Sequence, residues 1–139
     1  EQPAKVLLLC HPQNPTGHVF DDDELRHLVD IAERHDLLII SDEIHADLTY
    51  APRRHRPMAL FAPDRTVTIH AASKAFNLAG LRYAIMHIGP AALREQILGM
   101  PDHLYGEANM FGAEAARVAW THGDEWLDAV SSVVDFTRG

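Results

Sequence analysis

The sequence is short of cysteine, of basic residues and of long apolar runs. It has a single cysteine, Cys10, among 139 residues, so no internal disulfide can form, which fits a cytoplasmic protein. Acidic residues outnumber basic ones by 20 to 12, and this excess argues against binding to nucleic acid or to an anionic membrane surface. No apolar run approaches the roughly 18 residues that a membrane span needs. We therefore expect a protein with no nucleic-acid partner and no membrane partner.

Metal-binding patterns are missing as well. The ten histidines are spread along the chain, and no His/Cys pair has the spacing of a zinc finger. There is also no H-E-x-x-H motif. We expect no metal site.

The residues that are present predict an α/β fold. Hydrophobic residues make up 47% of the chain, enough for one domain with a real core. A helical pattern begins at Asp21, which forms a capping box with Glu24. Three predicted strands surround it, and the first two are apolar enough to be buried on both faces, as in a parallel sheet: Lys5–Cys10, Leu37–Ser41 and Thr66–His70.

The second half predicts an edge strand followed by helices. Tyr83–Gly89 follows the third strand too closely for a parallel crossover, so we expect it to be antiparallel and on an edge. Helices are predicted over 91–98 and 107–121, and Gly123 is expected to be the C-cap of the second one. Asp124 is expected to cap a third helix. The predicted inner stripe of the second helix consists of Phe111, Ala115, Val118 and Ala119.

The predicted fold class is thus α/β, part of a mostly parallel sheet flanked by helices, with an antiparallel edge strand and C-terminal helices. A boundary is predicted near 122–124, where the sheet domain hands over to a second domain. The sequence begins at Glu1 rather than Met and ends within a helical pattern, so we expect a piece of a longer protein.

Polar residues follow the three parallel strands, and they point to one cofactor. Asn14, Asp42 and Lys74 lie just past the strand ends, and open α/β sheets bind ligands at that carboxyl edge. Pyridoxal 5′-phosphate (PLP) needs a lysine for a Schiff base and an acid beside its ring nitrogen. Each residue alone has a plainer interpretation, such as a turn cap for Asp42, a shaped turn for Asn14, or a solvated amine for Lys74. Arg82 alone would be a surface ion pair.

Three motifs together carry a family resemblance. Asn14-Pro15-Thr16-Gly17, Asp42-Glu43-Ile44-His45, and Ser73-Lys74 with Arg82 eight residues on resemble the large domain of the fold type I, class I/II aminotransferase superfamily. Residues 41–48 and 74–81 are most similar to its cystathionine β-lyase-like branch of C–S lyases. The resemblance covers most of residues 5–123. It implies that residues 1–122 are part of the PLP-binding large domain and that 123–139 lead toward a C-terminal small domain.

The resemblance also implies a role for each site residue. Lys74 would form the Schiff base and act as general base and acid, and Asp42 would pair with the pyridinium nitrogen. Asn14 would donate to the ring hydroxyl oxygen, and Asn14–Pro15 would be a cis peptide. The other implied cofactor contacts are Ile44 on the ring face, His45 where aminotransferases commonly have a tyrosine, and Ser73 and Arg82 at the phosphate. Ala71 departs from the Ser or Thr that many relatives use at the phosphate.

The implied protein is a homodimeric, PLP-dependent enzyme that acts on a small amino-acid substrate. A C–S β-lyase and an aminotransferase both start by removing the α-proton, and the residues present serve both; the segments around Asp42 and Lys74 favour the lyase. A third interpretation is that this chain alone is inactive. The family's glycine-rich phosphate loop, ring-stacking aromatic residue and substrate-carboxylate arginine are not in it.

Overall fold

The computed structural model describes residues 3–101, 104 and 106–138, and a four-stranded sheet organises them. The strands lie in chain order; β1–β2 and β2–β3 are parallel, and β3–β4 is antiparallel. The strands are β1 (Val6–Cys10), β2 (Leu38–Asp42), β3 (Thr66–His70) and β4 (Ile85–Ile88). The helices are α1 (Asp22–Arg34), α2 (Ala91–Leu98), α3 (Met110–His122) and α4 (Asp124–Arg138). The predicted α/β class is confirmed.

Helix α1 covers one face of the sheet. Its predicted capping box is confirmed, because the Asp21 side chain accepts from the backbone of Glu24 while the Glu24 carboxylate accepts from the Asp21 amide. Full burial of a side chain such as Leu25 or Ile39 contributes about 1.5–3 kcal/mol to folding. The core beneath the helix is made by Leu9, Leu25, Val29, Ala32, Leu37, Ile39, Met58 and Ala62.

All four predicted strands are present, and the antiparallel placement of β4 is confirmed. Some bounds and the burial of the strands differ from the prediction. β1 begins at Val6 rather than Lys5, and β4 spans only Ile85–Ile88 of the predicted 83–89. β2 runs one residue later than predicted: it begins at Leu38 and includes Asp42, which pairs with both Cys10 and Ile69. The first two strands are also not buried on both faces. Leu8 is 74% exposed, because α1 covers only the opposite face of β1 and no described helix covers this one.

The three predicted helices after the sheet are present, and two of them begin at a different residue than predicted. α2 has the predicted bounds, and Gly123 is the C-cap of α3 as expected. α3 begins at Met110 rather than residue 107, because the Asn109 side chain accepts hydrogen bonds from the amides of Phe111 and Gly112 and so caps the helix there. Asp124 is the first residue of α4 rather than its cap.

The predicted inner stripe of α3 was wrong. Phe111 is 75% and Val118 41% exposed, and the buried residues of this helix are Gly112 and Ala116. Gly112 lies so close to Tyr83 that a Cβ built on it would stand 2.8 Å from the Tyr83 Cβ. The helix therefore docks through small residues and Trp120, while Phe111 and Val118 lie on the outer face.

The remaining predictions concern shorter features. The expected helical turn between residues 57 and 61 is present as a 3-10 turn at Met58–Leu60. The break between α3 and α4 falls at Gly123, inside the predicted boundary at 122–124. The division into two domains stays a prediction. In the described ranges, no helix is long and apolar enough to cross a membrane.

Candidate active site

The three parallel strands end at one edge of the sheet, as the sequence predicts. Cys10 is in register with Asp42, and Asp42 with Ile69. Because neighbouring strands lie roughly 4.8 Å apart, these three ends are adjacent. Asn14 follows the first strand by four residues, and Lys74 follows the third by four. The amide, the carboxylate and the amine therefore leave the sheet at the same edge.

The loop after β1 is a rigid turn that presents Asn14. The Gln13 carbonyl accepts from the Gly17 amide at 2.8 Å, and the Gln13 side chain accepts from the amide and the hydroxyl of Thr16. The Asn14–Pro15 peptide is cis, which confirms the implied geometry, and His11–Pro12 is cis as well. The Asn14 side chain is exposed and makes no hydrogen bond within the described residues.

Two adjacent carboxylates at the end of β2 have opposite surroundings. Glu43 is buried and accepts hydrogen bonds from Ser41 Oγ (2.8 Å), His55 Nε2 (2.8 Å) and the Met58 amide (2.9 Å). Burial works to raise the pKa of Glu43, but these hydrogen bonds outweigh it and hold that pKa below its usual value. Asp42 is half-buried, and among the described residues its carboxylate accepts only from the Ile44 amide, at 3.3 Å. Asp42 therefore keeps acceptor capacity for a ligand.

The turn after β3 presents Lys74. The Phe76 amide donates to the Ala72 carbonyl and the Leu78 amide to the Ser73 carbonyl, and the Trp126 indole of α4 donates to the Ala75 carbonyl at 2.8 Å. The Lys74 side chain is exposed and has no hydrogen bond or ion pair within the described residues.

Two residues in the segment from Lys74 to Arg82 have strained backbone conformations. Asn77 (φ 54°) and Arg82 (φ 50°) both adopt left-handed conformations. Non-glycine residues reach this region at a cost of about 1 kcal/mol or more, and such strain is often found at ligand sites. Like Lys74, the Arg82 side chain is exposed and has no ion pair in the described ranges. At the implied phosphate position, Ala71 is buried and brings no hydroxyl.

A recess of about 360 Å³ opens beside this edge. Asn14 and His45 both line it, so the structure brings these two predicted residues together. The other predicted residues do not line it: they are Asp42, Ile44, Ser73, Lys74 and Arg82. The rest of its lining comes from the loop after β1, including Pro12 and Pro15, and from the segment after β2, including Tyr50.

The residues at the edge fit a PLP-like group. An amine, an amide and a guanidinium project from the loops with no protein partner in the described chain, and a half-buried carboxylate stands at the strand end between them. These are the groups that a Schiff base, a ring hydroxyl, a phosphate and a pyridinium nitrogen require. Among the described residues, no three His, Cys, Asp or Glu side chains are grouped so that they could hold a metal ion.

Several residues around the site were missed from the sequence. Glu43, Asp47, His70, Trp120 and Trp126 all hold the two loops by hydrogen bonds. The only sequence signal was the second acid beside Asp42. The partners lie too far apart in the chain to be paired without a structure: Asp47 and Trp120, for example, are separated by 73 positions.

Comparisons with known proteins agree on one family. A family model described as aminotransferase class I and II matches residues 1–134. The cystathionine beta-lyase of Corynebacterium glutamicum is 36% identical over 137 residues, which cover 97% of this chain and 37% of that protein. The putative aminotransferase YugH of Bacillus subtilis is 38% identical over 96 residues, which cover 68% of this chain and 25% of that protein.

Solved structures share the fold as well. The PLP-bound C-S lyase from Staphylococcus hominis superposes with a TM-score of 0.86 at 34% identity, over 94% of this chain and 33% of that one. The chain spans about a third of the length of the curated relatives it matches.

Proposed function

The chain belongs to the aminotransferase class I and II family, and from this membership we propose that the whole protein containing it is a PLP-dependent C–S β-lyase. Its substrate would be an amino acid with sulfur on the β-carbon, such as cystathionine. The observation that carries the proposal is that three side chains meet at one sheet edge: the Lys74 amine, the Asn14 amide and the half-buried Asp42 carboxylate. The family relatives named cystathionine beta-lyase support the choice of reaction.

Lys74 is the proposed catalytic residue. When bound, PLP supplies an electron sink for the negative charge that develops at the substrate's α-carbon. Lys74 would attach the cofactor and then move the α-proton. Of the two lysines in this chain, only Lys74 lies at the carboxyl edge of the sheet; Lys5 precedes β1 at the opposite end. Because the Lys74 amine has no hydrogen-bond or ion-pair partner in the part of the chain that the structure describes, it is available for both tasks.

The proposed ring contacts come from the ends of β1 and β2. Asp42 would pair with the ring nitrogen, and a cationic partner would offset the cost of keeping this carboxylate half-buried. Asn14 would donate to the ring hydroxyl oxygen, and His45, on the same recess, would lie near that oxygen. Ile44 would pack against one face of the ring.

The proposed phosphate contacts come from the loop after β3. Arg82 would bind the phosphate with two parallel hydrogen bonds, the geometry for which a guanidinium is suited. Ser73 would add a hydroxyl donor. Ala71 leaves this chain one donor short of many relatives.

The proposed reaction balances without an oxidant. Lys74 would remove the α-proton, the bond between the β-carbon and sulfur would break, and the sulfur would leave as thiolate with the bonding electrons. Water would then convert the remaining three-carbon fragment to pyruvate and ammonia. An aminotransferase is the second candidate, since a relative named putative aminotransferase is 38% identical. There Lys74 would also move the α-proton, and the substrate's amino group would be transferred to a keto acid.

Pyruvate release separates the two reactions. We expect the whole protein, loaded with PLP, to release pyruvate from cystathionine with no keto acid present. Turnover that requires a keto acid, with no pyruvate released in its absence, would overturn the lyase and favour the aminotransferase.

Absorbance tests the lysine in either case. Adding PLP to the whole protein should produce the visible band of a Schiff base, and Lys74→Ala should abolish it. Lys5→Ala is the matched control and should keep the band. An unchanged band in Lys74→Ala would exclude the proposed attachment point.

The assembly is a further part of the proposal. We propose a cytoplasmic homodimer in which residues 1–122 belong to the PLP-binding large domain and 123–139 lead toward a small domain. The large apolar side chains left on the outer face of α3, Phe111 among them, support burial against further chain or a second subunit.

A further inference from the structure

The imidazole of His70 bridges the ends of two strands. His70 is the last residue of β3, four residues before Lys74. Its Nδ1 lies 3.0 Å from the carbonyl oxygen of Glu43, and its Nε2 lies 3.4 Å from Oδ2 of Asp47. A carbonyl and a carboxylate can only accept hydrogen bonds. Nδ1 must therefore carry a proton to bond the carbonyl, and the carboxylate beside Nε2 favours a second proton there, which gives the imidazolium form of His70.

Trp120 of α3 completes the cluster. Its indole N–H donates to the same Oδ2 of Asp47 at 3.0 Å. Its ring system stacks on the His70 imidazole, with centroids 5.2 Å apart and planes 17° apart. An aromatic face against a cation is a favourable contact. His70, Asp47 and Trp120 thus form one unit, called here the His70 cluster, in which each member contacts the other two.

The electrostatics of the cluster agree with this charge state. The hydrogen bond to Asp47 raises the pKa of His70 above its usual value, against the effect of burial, and the Glu43 carboxylate acts in the same direction. Burial works to raise the pKa of Asp47, but hydrogen bonds from His70 and Trp120 outweigh it and lower that pKa, with a smaller contribution from His55. The pair is therefore charged between the two pKa values.

The His70 cluster holds the segment that carries Asp42. The last backbone bond between the two strands is the Glu43 amide on the Ile69 carbonyl, at 2.8 Å. Beyond this bond, His70 makes two side-chain contacts. Its Nδ1 bonds the carbonyl of Glu43, the residue after Asp42, and its Nε2 faces the carboxylate of Asp47, which lies two residues after His45. The cluster therefore fixes both ends of the segment 43–47 to the strand that leads to Lys74.

We propose that His70, Asp47 and Trp120 are positioning residues, which set the placement of Asp42 and His45 relative to Lys74 and do so only while His70 is protonated. The expected effect on kinetics rests on the proposed function. The ordering of segment 43–47 does not, because it depends only on contacts within this chain. As pH rises through the folded-state pKa of His70, the Nε2 proton is lost and a lone pair faces the Asp47 carboxylate. The segment then loosens on the alkaline side.

Amide hydrogen exchange tests the positioning without any cofactor. In the whole protein, protection of segment 43–47, corrected for the intrinsic pH dependence, should fall as His70 deprotonates. His70→Gln cannot become cationic, so at a pH near 6 the amides of this segment should be at least about tenfold less protected than in the wild type. Their protection should also show no fall with pH. His87→Gln is the matched control, since His87 lies on β4, is exposed and has no described partner. Asp47→Asn has nearly the same shape and should move the loss of protection to lower pH. This second variant tests the inference if His70→Gln fails to fold.

Kinetics of the PLP-loaded protein give the second readout. His70→Gln should lower kcat about tenfold with KM within about twofold, because the His70 side chain orients the site and does not itself bind substrate. The alkaline limb of the wild-type kcat profile should move to lower pH in Asp47→Asn. Unchanged protection of segment 43–47 in His70→Gln would overturn the inference. A wild-type protein without lyase activity would instead overturn the proposed function and leave the exchange result to decide this one.

Discussion

At the scale of single residues, the sequence places two acids side by side and the structure separates their tasks. Asp42 and Glu43 are successive residues, so their side chains leave the end of β2 in opposite directions. The Glu43 carboxylate accepts three hydrogen bonds from the protein, whereas Asp42 accepts one long bond from its own turn. The hydrogen bonds of Glu43 thus hold the end of β2 in place, while the Asp42 carboxylate keeps acceptor capacity for a ligand.

This contrast predicts an acid-sensitive domain. The folded-state pKa of Glu43 is lowered from 4.5, so its contribution to stability is present above that value and is lost as pH falls through the lower, folded-state pKa. In the whole protein, Glu43→Gln should reduce the free energy of unfolding near neutral pH by about 1–3 kcal/mol. It should also flatten the acid limb of the urea-unfolding profile. Glu33→Gln, an exposed acid of α1, is the control and should change neither; equal stability of Glu43→Gln would contradict this account.

At the scale of elements, local patterns predicted the strands and α1, while contacts between elements were beyond the sequence. The capping box at Asp21 and the apolar runs of β1–β3 depend on neighbouring residues, and the structure confirms them. The face of α3 depends on which neighbour packs against it. Apolar spacing favoured Phe111 and Val118, but close approach to Tyr83 selects Gly112 instead. For the same reason, Asn14, Asp42 and Lys74 could be placed at one edge from the strands, but Trp120 and Trp126 could not.

The docking of α3 through small residues predicts that Gly112→Ala destabilises the protein. Alanine is the better helix former by up to about 1 kcal/mol, so an exposed position would gain stability. Here the new Cβ would stand 2.8 Å from the Tyr83 Cβ and 3.1 Å from the Leu81 carbonyl oxygen. The net cost should be about 1–3 kcal/mol, measured as a lower midpoint of thermal unfolding. Gly80→Ala, whose Cβ would have no atom within 4 Å, should be nearly neutral. A stabilised Gly112→Ala would mean that α3 does not pack on Tyr83.

At the scale of the whole molecule, α3 and α4 hold both loops of the site while leaving apolar surface uncovered. Trp120 of α3 binds the segment after β2, and Trp126 of α4 binds the turn of Lys74. The outer faces of the same helices carry Phe111, which is 75% exposed, and Phe136, which is 88% exposed. Exposed aromatic side chains of this size point to contacts with further chain or a second subunit.

The uncovered surface leads to a prediction for the 139-residue chain on its own. It has the proposed lysine, but its relatives are about three times as long, and the resemblance places further phosphate and substrate contacts outside it. We expect the isolated chain to bind a hydrophobic dye strongly and, with PLP added, to release no pyruvate from cystathionine above the level of Lys74→Ala. The whole protein should bind little dye and should release pyruvate from cystathionine. Pyruvate release by the isolated chain at a rate within about tenfold of the whole protein would show that residues 1–139 hold a complete site, because removing substrate-orienting groups costs far more than that.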